Sequence, residues 1–356
     1  MKITKVHYWK EDMKLTRPYA VTYVMHDSVS NIFVRLDADN GNYGLGSGSP
    51  SVYVTGEEMD EDCSSRIPEL EESLLNTDVR SFRQTITLLT IRYANQPALL
   101  AALDMALHDL FCKSVDISLG KYLGVHCQPL PTSITIGLKN VAETVEEGIE
   151  YKERNFNVIK LKIGQSMQED IERCIKLREA VGHKMLIRVD ANQGYTAPEF
   201  TEFIEKTKLL NLEFFEQPMK PNALDEMALL SRNIQEVCAA DENLHKQKEA
   251  LDLVKRGRLF GIFNIKIMKS GGITEGLKIA SIAEQEHLAL MWGCMDESVI
   301  SISASMNAAY ASPATKYLDL DGSLDLASDV ATGGFDLREG VLYPLHDRPG
   351  LGVELL

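Results

Sequence analysis

No apolar run in this sequence approaches the roughly 18 residues needed to cross a bilayer, and the opening stretch MKITKVHYWKEDMK lacks the apolar core of a secretory signal. The six cysteines (Cys63, Cys112, Cys127, Cys174, Cys238 and Cys294) are scattered, with no CxxC pair. Zinc fingers and disulfide scaffolds are therefore not expected, and a reducing cytoplasm is the expected compartment. Positive charge is short: 37 Lys and Arg face 52 Asp and Glu, a net charge of −15. That balance argues against partners rich in phosphate, so neither nucleic acid nor a membrane surface is expected. Gly/Ser linkers, low-complexity tracts and the GxSxG, Walker and GxGxxG signatures are all missing. What remains is an ordinary globular composition, 44% apolar and 25% charged over 356 residues. Such a chain can form one large α/β domain with an addition, or two domains.

A regular alternation begins near residue 131. Short apolar or β-branched runs recur as SITIG, VIKLKIG, MLIRVDAN, LEFFEQP, EVCAADEN, IFNIKIMK, LALMWGC and KYLDLDG, their starts 24 to 28 residues apart. Between them lie stretches such as DIERCIKLREAVG and TEGLKIASIAEQEH, with apolar residues at three- and four-residue spacing. Strand–helix units repeated in this way predict a TIM-type barrel of the modified (β/α)7β kind over residues 131–322, in preference to a doubly wound sheet. Residues 1–130 read differently. KITKVHYWKED and SNIFVRLDADNGNYGLG alternate like antiparallel strands, the second pair joined across Asn40-Gly41, and residues 97–115 form a helix with a strong apolar face. An α+β capping domain is expected here, completed by the tail from about 323 to 356.

In such a barrel the chemistry sits at the C-terminal ends of the strands. The second strand carries Lys160 and Lys162, the third Asp190, the fourth Glu216, the fifth Asp241 and Glu242, the sixth Lys266, and the eighth Asp319 and Asp321. Charges within apolar strands are costly unless paired or bound to a metal. Asp190, Glu216 and Asp241 come one per consecutive unit, which sets three carboxylates side by side at the mouth. Each alone could cap a helix or pair with a lysine; together they repel unless a hard cation sits among them, and an all-oxygen donor set suits Mg²⁺. Lys160 and Lys162 face the same way, and their proximity is expected to favour a neutral, basic amine. Lys266 falls four strands further round, opposite Lys162. His183, His245 and His287 read as surface or packing residues, and Ser270-Gly271-Gly272 as a turn or a backbone approach to a ligand.

These motifs, KLKIG, VDANQGY, FEQP, ADEN and NIKIMKSGGI in order at barrel spacing, resemble the enolase superfamily and its muconate-lactonising subgroup over essentially the whole chain. The resemblance implies an enzyme that binds Mg²⁺ and removes the proton α to a carboxylate, giving an enediolate. It implies Asp190, Glu216 and Asp241 as metal ligands, Lys162 and Lys266 as the two acid/base groups, and Lys160 as a helper for the developing charge.

Within the subgroup, Asp319-Leu320-Asp321 is similar to the DxD motif by which dipeptide epimerases hold a substrate ammonium. An o-succinylbenzoate synthase or cycloisomerase has no amine to hold. An isomerase that inverts the C-terminal residue of a small dipeptide by 1,1-proton transfer is therefore expected. The rivals are another reaction of the subgroup and a non-catalytic peptide-binding barrel. Members directed at glutamate use an arginine of the early capping loop, but PYAVTYVMHDSVSN here has no Lys or Arg. CMDES, with Asp296 and Glu297 near the mouth, resembles epimerases of basic dipeptides. Basic or hydrophobic dipeptides are expected ahead of Ala-Glu, and self-association into a homo-oligomer is left open.

Overall fold

Eight parallel strands form the ring that the repeat predicts, in a computed structural model describing residues 1–21 and 24–356, with side chains described outside 18–26. The strands are β4 (Ile134–Ile136), β5 (Val158–Lys162), β6 (Leu186–Asp190), β7 (Phe215–Glu216), β8 (Cys238–Ala240), β9 (Ile262–Ile265), β10 (Ala289–Gly293) and β11 (Thr315–Asp319). They are bonded in sequential order. A parallel bridge between Thr132 and Leu318, with Ser133 N–H donating to the Leu318 carbonyl at 3.0 Å, closes β11 back onto the β4 side. Before these strands come β1 (Ile3–Val21), β2 (Val24–Ala38) and β3 (Tyr43–Gly48), an antiparallel sheet, and the helices α1 (Cys63–Leu74), α2 (Phe82–Arg92), α3 (Pro97–Ser114) and α4 (Leu119–Leu123).

Seven helical connections follow the first seven barrel strands: α5 (Val141–Glu153), α6 (Met167–Val181), α7 (Ala197–Thr207), α8 (Leu224–Leu229) with α9 (Arg232–Glu236), α10 (Gln247–Lys255), α11 (Ile267–Ser270) with α12 (Ile273–Gln285), and α13 (Val299–Tyr310). No described helix is long and apolar enough to cross a membrane.

Alternation divides each strand. Ile159, Leu161, Ile187 and Val189 join the large core with Cys174, Leu177 and Phe200 of the surrounding helices. The other face fills the ring in layers. A lower plug is apolar, with Phe214, Ala239, Ile262 and Met291 as a separate cluster, and Arg188 lying 5.3 Å and 5.1 Å from the Phe214 and Tyr317 rings. Above it, at the strand ends, the same face turns to charge.

The capping sheet meets the barrel through α3, which is buried on nearly every side. Gly44, Gly46 and Gly48 of β3 lie on the carbonyls of Ala106, Ala102 and Ala98; a Cβ at Gly46 would stand 1.9 Å from the Ala102 oxygen. Small residues on both partners allow this approach. Across the helix, Asp104 accepts from Ile273 N–H at 2.8 Å and from the Thr274 hydroxyl, capping α12. Ser270-Gly271-Gly272 is a packed turn at this seam, with Leu100 and Asp104 against its glycines.

The tail touches both units. Residues 325–327 run beside β1, with Thr16 N–H donating to the Asp325 carbonyl at 2.7 Å and Ala327 N–H to that of Lys14 at 2.8 Å. Further on, β12 (Ala331–Gly333) pairs with β15 (Val353–Leu355), and β13 (Phe335–Arg338) with β14 (Val341–Pro344). Thr132 N–H donates to Gly340, at the foot of the barrel.

Candidate active site

The upper layer of the ring gathers the charged residues that the strands predicted. Lys160 is buried among carboxylates: its Nζ lies 2.8 Å from Asp319 Oδ2, 2.8 Å from Glu216 Oε2 and 3.1 Å from Asp190 Oδ2. Lys162, one alternation further out, donates to Asp190 at 2.7 Å and to the Asn192 side chain at 3.0 Å. Opposite, just beyond β9, Lys266 donates to Asp241 Oδ2 at 2.8 Å. The strand order puts β5 and β9 four places apart in a ring of eight, and both lysines line the same cavity.

The electrostatics follow from this crowding. Burial works against the ammonium forms of Lys160 and Lys266, but the carboxylates around them outweigh it and raise both above the ordinary lysine range. For Lys160 the three carboxylates within 3.1 Å of its Nζ outweigh the cost of burial. Asp190 is held low despite burial by Lys162 and Lys160, and Asp241 likewise by Lys266 and Lys269. Glu216 is pushed up to about 8 by burial and by Asp190.

An ion among these acids is a matter of donor chemistry. Asp190, Glu216 and Asp241 offer oxygen alone, as Mg²⁺ requires. One buried oxygen, Glu216 Oε2, has no hydrogen bond, its contact with Lys160 lying outside hydrogen-bond geometry. Among the described residues no three acids, histidines or cysteines converge into a ready cage; ammonium groups stand between the carboxylates instead. The donor set fits the ion, and the lysines would have to yield their places.

Asp319 and Asp321 both reach the cavity, which has a volume of 480 Å³. Their environments differ. Asp319 is held low against burial by Lys160 and the Ser133 hydroxyl. Asp321 accepts from Thr135 N–H at 2.8 Å, but burial and the neighbouring Asp319 and Asp325 push it up to about 8. It is a carboxylate short of a cation. Asp296 also lines the cavity, whereas Glu297 does not: it is buried behind the turn, where its Oε1 accepts from Met295 N–H at 2.9 Å. The tip of the early capping loop, residues 18–26, whose lack of Lys and Arg argued against an acidic side chain, lies outside the described side chains.

Several groups at the mouth escaped the sequence reading. Lys269, a turn beyond Lys266, is fully buried and bonds both the carboxylate and, at 2.6 Å, the carbonyl of Asp241. The second lysine of NIKIMK was its only signal. Arg17, immediately before the loop that has no base, lines the cavity and pairs with Glu150 at 2.7 Å. Glu147, which is nearly buried, takes Lys139 at 2.6 Å and the Tyr151 hydroxyl at 2.8 Å. The loop after β3 forms one wall through Val52, Tyr53 and Val54, and Glu57 ties it to the start of α3 by accepting from Ala98 N–H at 2.7 Å. His183, His245 and His287 do not line the cavity.

Two domain descriptions match this chain: the Mandelate racemase / muconate lactonizing enzyme N-terminal domain over residues 3–124, and the Enolase C-terminal domain-like unit over residues 140–356. The chain belongs to the enolase superfamily. Among its relatives, an L-Lys-D/L-Arg epimerase of Desulforapulum autotrophicum is 47% identical over 99% of each chain, and one of Methylococcus capsulatus is 41% identical over the same share. A hydrophobic dipeptide epimerase of Enterococcus faecalis is 30% identical, again over 99% of each. In three dimensions this superfamily member matches the Methylococcus capsulatus dipeptide epimerase complexed with Mg and L-Arg-D-Lys, with a TM-score of 0.96 at 40% identity over 99% of both chains. These relatives are epimerases, and the chain is an enzyme of the isomerase class.

Proposed function

We propose that this isomerase is a Mg²⁺-dependent dipeptide epimerase that inverts the α-carbon of the C-terminal residue and prefers basic dipeptides. The observation that carries the reading is the pair of lysines, Lys162 and Lys266, on opposite sides of one cavity whose wall also holds Asp319 and Asp321. The 47% and 41% identity to two L-Lys-D/L-Arg epimerases supports the basic preference.

In this mechanism Asp321, with Asp319 behind it, receives the substrate's terminal ammonium. One lysine takes the α-proton from its face and the other returns a proton from the opposite face, so the centre inverts. Lys160, behind the site, offsets negative charge as it develops toward the enediolate. Asp190, Glu216 and Asp241 would hold Mg²⁺, which when bound supplies a positive charge that relieves their mutual repulsion and stabilises the substrate carboxylate as the proton leaves. Asp296 adds negative potential on the side-chain wall, in keeping with a basic substrate.

The test is exchange in D₂O. With Mg²⁺, L,L-dipeptides of lysine and arginine should take up one deuterium at the C-terminal α-carbon while the diastereomer accumulates. No exchange across a library arranged by side-chain charge would sink the proposal.

A further inference from the structure

Three carboxylates around the cavity already have a cation. Asp319 has Lys160, Asp241 has Lys266 and Lys269, and Glu147 has Lys139. Asp325 differs. It lines the cavity, is half-buried, and its carboxylate takes no hydrogen bond and no ion pair among the described residues.

Its place is built into the scaffold. The Asp325 carbonyl accepts from Thr16 N–H at 2.7 Å, Leu326 bridges Leu15, and Ala327 N–H donates to Lys14. The segment is thus pinned along β1 on both sides of the side chain. Leu324 N–H closes a turn onto the Asp321 carbonyl at 2.7 Å, so Asp325 follows Asp321 along the wall by one turn of chain. The two nearby cations are committed elsewhere: Arg154 pairs with Glu150 at 3.3 Å, and Arg17 pairs with Glu150 at 2.7 Å and reaches Glu147 at 3.6 Å. Asp296 and Glu147 add their negative potential to that of Asp325; with burial as the larger cause, its carboxyl rises to about 6. A half-desolvated carboxylate on a cavity wall, reinforced by like charge and without a partner among the described residues, is stabilised by a cation from outside.

We propose that Asp325 is a specificity-determining residue that receives the cationic side chain of the dipeptide's N-terminal residue. The inference rests on the function proposed above. With the terminal ammonium at Asp321, the carbon bearing it carries the N-terminal side chain, and Asp325 is the next carboxylate along that wall. The C-terminal residue is committed to the two lysines.

The experiment compares Lys-Arg, Ala-Arg, Lys-Ala and Ala-Ala as substrates of the full-length enzyme with Mg²⁺, for the wild type, Asp325→Asn and Asp325→Ser. The readout is the ratio of kcat/KM for Lys-first over Ala-first dipeptides at a fixed second residue. In both variants this ratio should fall about tenfold or more, chiefly through KM, the scale expected when one partner of a partly desolvated charge pair is removed. Melting temperatures close to wild type would show that the change is not one of folding. The proposal is overturned if the ratio is unchanged in both variants, if only the preference at the second position moves, or if the wild type does not favour Lys-first substrates. A wild type that epimerises none of the four overturns it together with the proposed function, and is distinguishable because no ratio then exists to compare.

Discussion

The α3 seam and the barrel mouth both bury carboxylates, yet they answer them in opposite ways. At the seam, Asp109 accepts from Leu45 N–H at 2.9 Å, from Leu351 N–H at 2.7 Å and from Lys113 at 2.7 Å. Asp104 caps α12 through both its oxygens. The donors are largely backbone groups of other elements, so each acid is a fastener between strand, helix and tail. At the mouth, Asp190, Glu216 and Asp319 share Lys160, while Glu216 Oε2, Glu242 Oε2 and Asn264 Oδ1 have no hydrogen bond. Buried charge met chiefly by backbone donors is structural. Buried charge met by other mobile charges, with oxygens left over, is poised for a ligand.

Mutations at the two places should therefore separate activity from stability. The largest effect is expected at the mouth. Lys162→Ala and Lys266→Ala should each lower epimerisation about 10²–10⁴-fold, while dipeptide affinity by calorimetry and the thermal midpoint stay near wild type. Unchanged turnover in either would remove the proposed acid/base roles. At the seam the order reverses. Gly46→Ala drives a methyl into the Ala102 carbonyl and should cost about 1–3 kcal/mol in chemical denaturation, with kcat of the folded fraction preserved. Asp104→Ala leaves the start of α12 without its acceptor and should cost about 1–2 kcal/mol. A loss of turnover at full stability would break the comparison.

The smallest effect concerns pH. Burial pushes Glu57 up to about 7 against the opposing Ala98 and Leu99 N–H groups, from an ordinary value of 4.5. The folded state therefore binds this proton more tightly than the unfolded chain does. The resulting stability is present below about pH 4.5 and is lost as pH rises through about 7. Glu57→Gln cannot titrate, so its melting temperature should vary less across that window than the wild type's. Equal slopes would mean that Glu57 is ionised throughout.

The repeat was legible because a strand–helix unit is written locally, in alternation followed by helical spacing. The strand ends carrying Asp190, Glu216 and Lys266 were legible for the same reason, since register fixes which side chains face inward. Partners were not legible. Nothing local says that Lys160 serves three acids, or that Lys269 bonds Asp241 from a turn where alternation has stopped. Helix α3 read as amphipathic, but Ala98, Ala102 and Ala106, small enough to look neutral, are the stripe on which β3 lies. Asp296 and Glu297 are neighbours in a loop without periodicity, and only the turn decides that the first meets the cavity and the second lies behind it. Asp325 lies in a tail segment whose position depends on hydrogen bonds to β1, more than 300 residues earlier.

By itself, then, the sequence determined the barrel, the superfamily and the kinds of charge at the mouth, because these depend on short-range period and on residue type. The tertiary structure alone decided which charge is paired and which is left open. Pairing depends on distances between elements remote in the chain, and on how far each group is withdrawn from water.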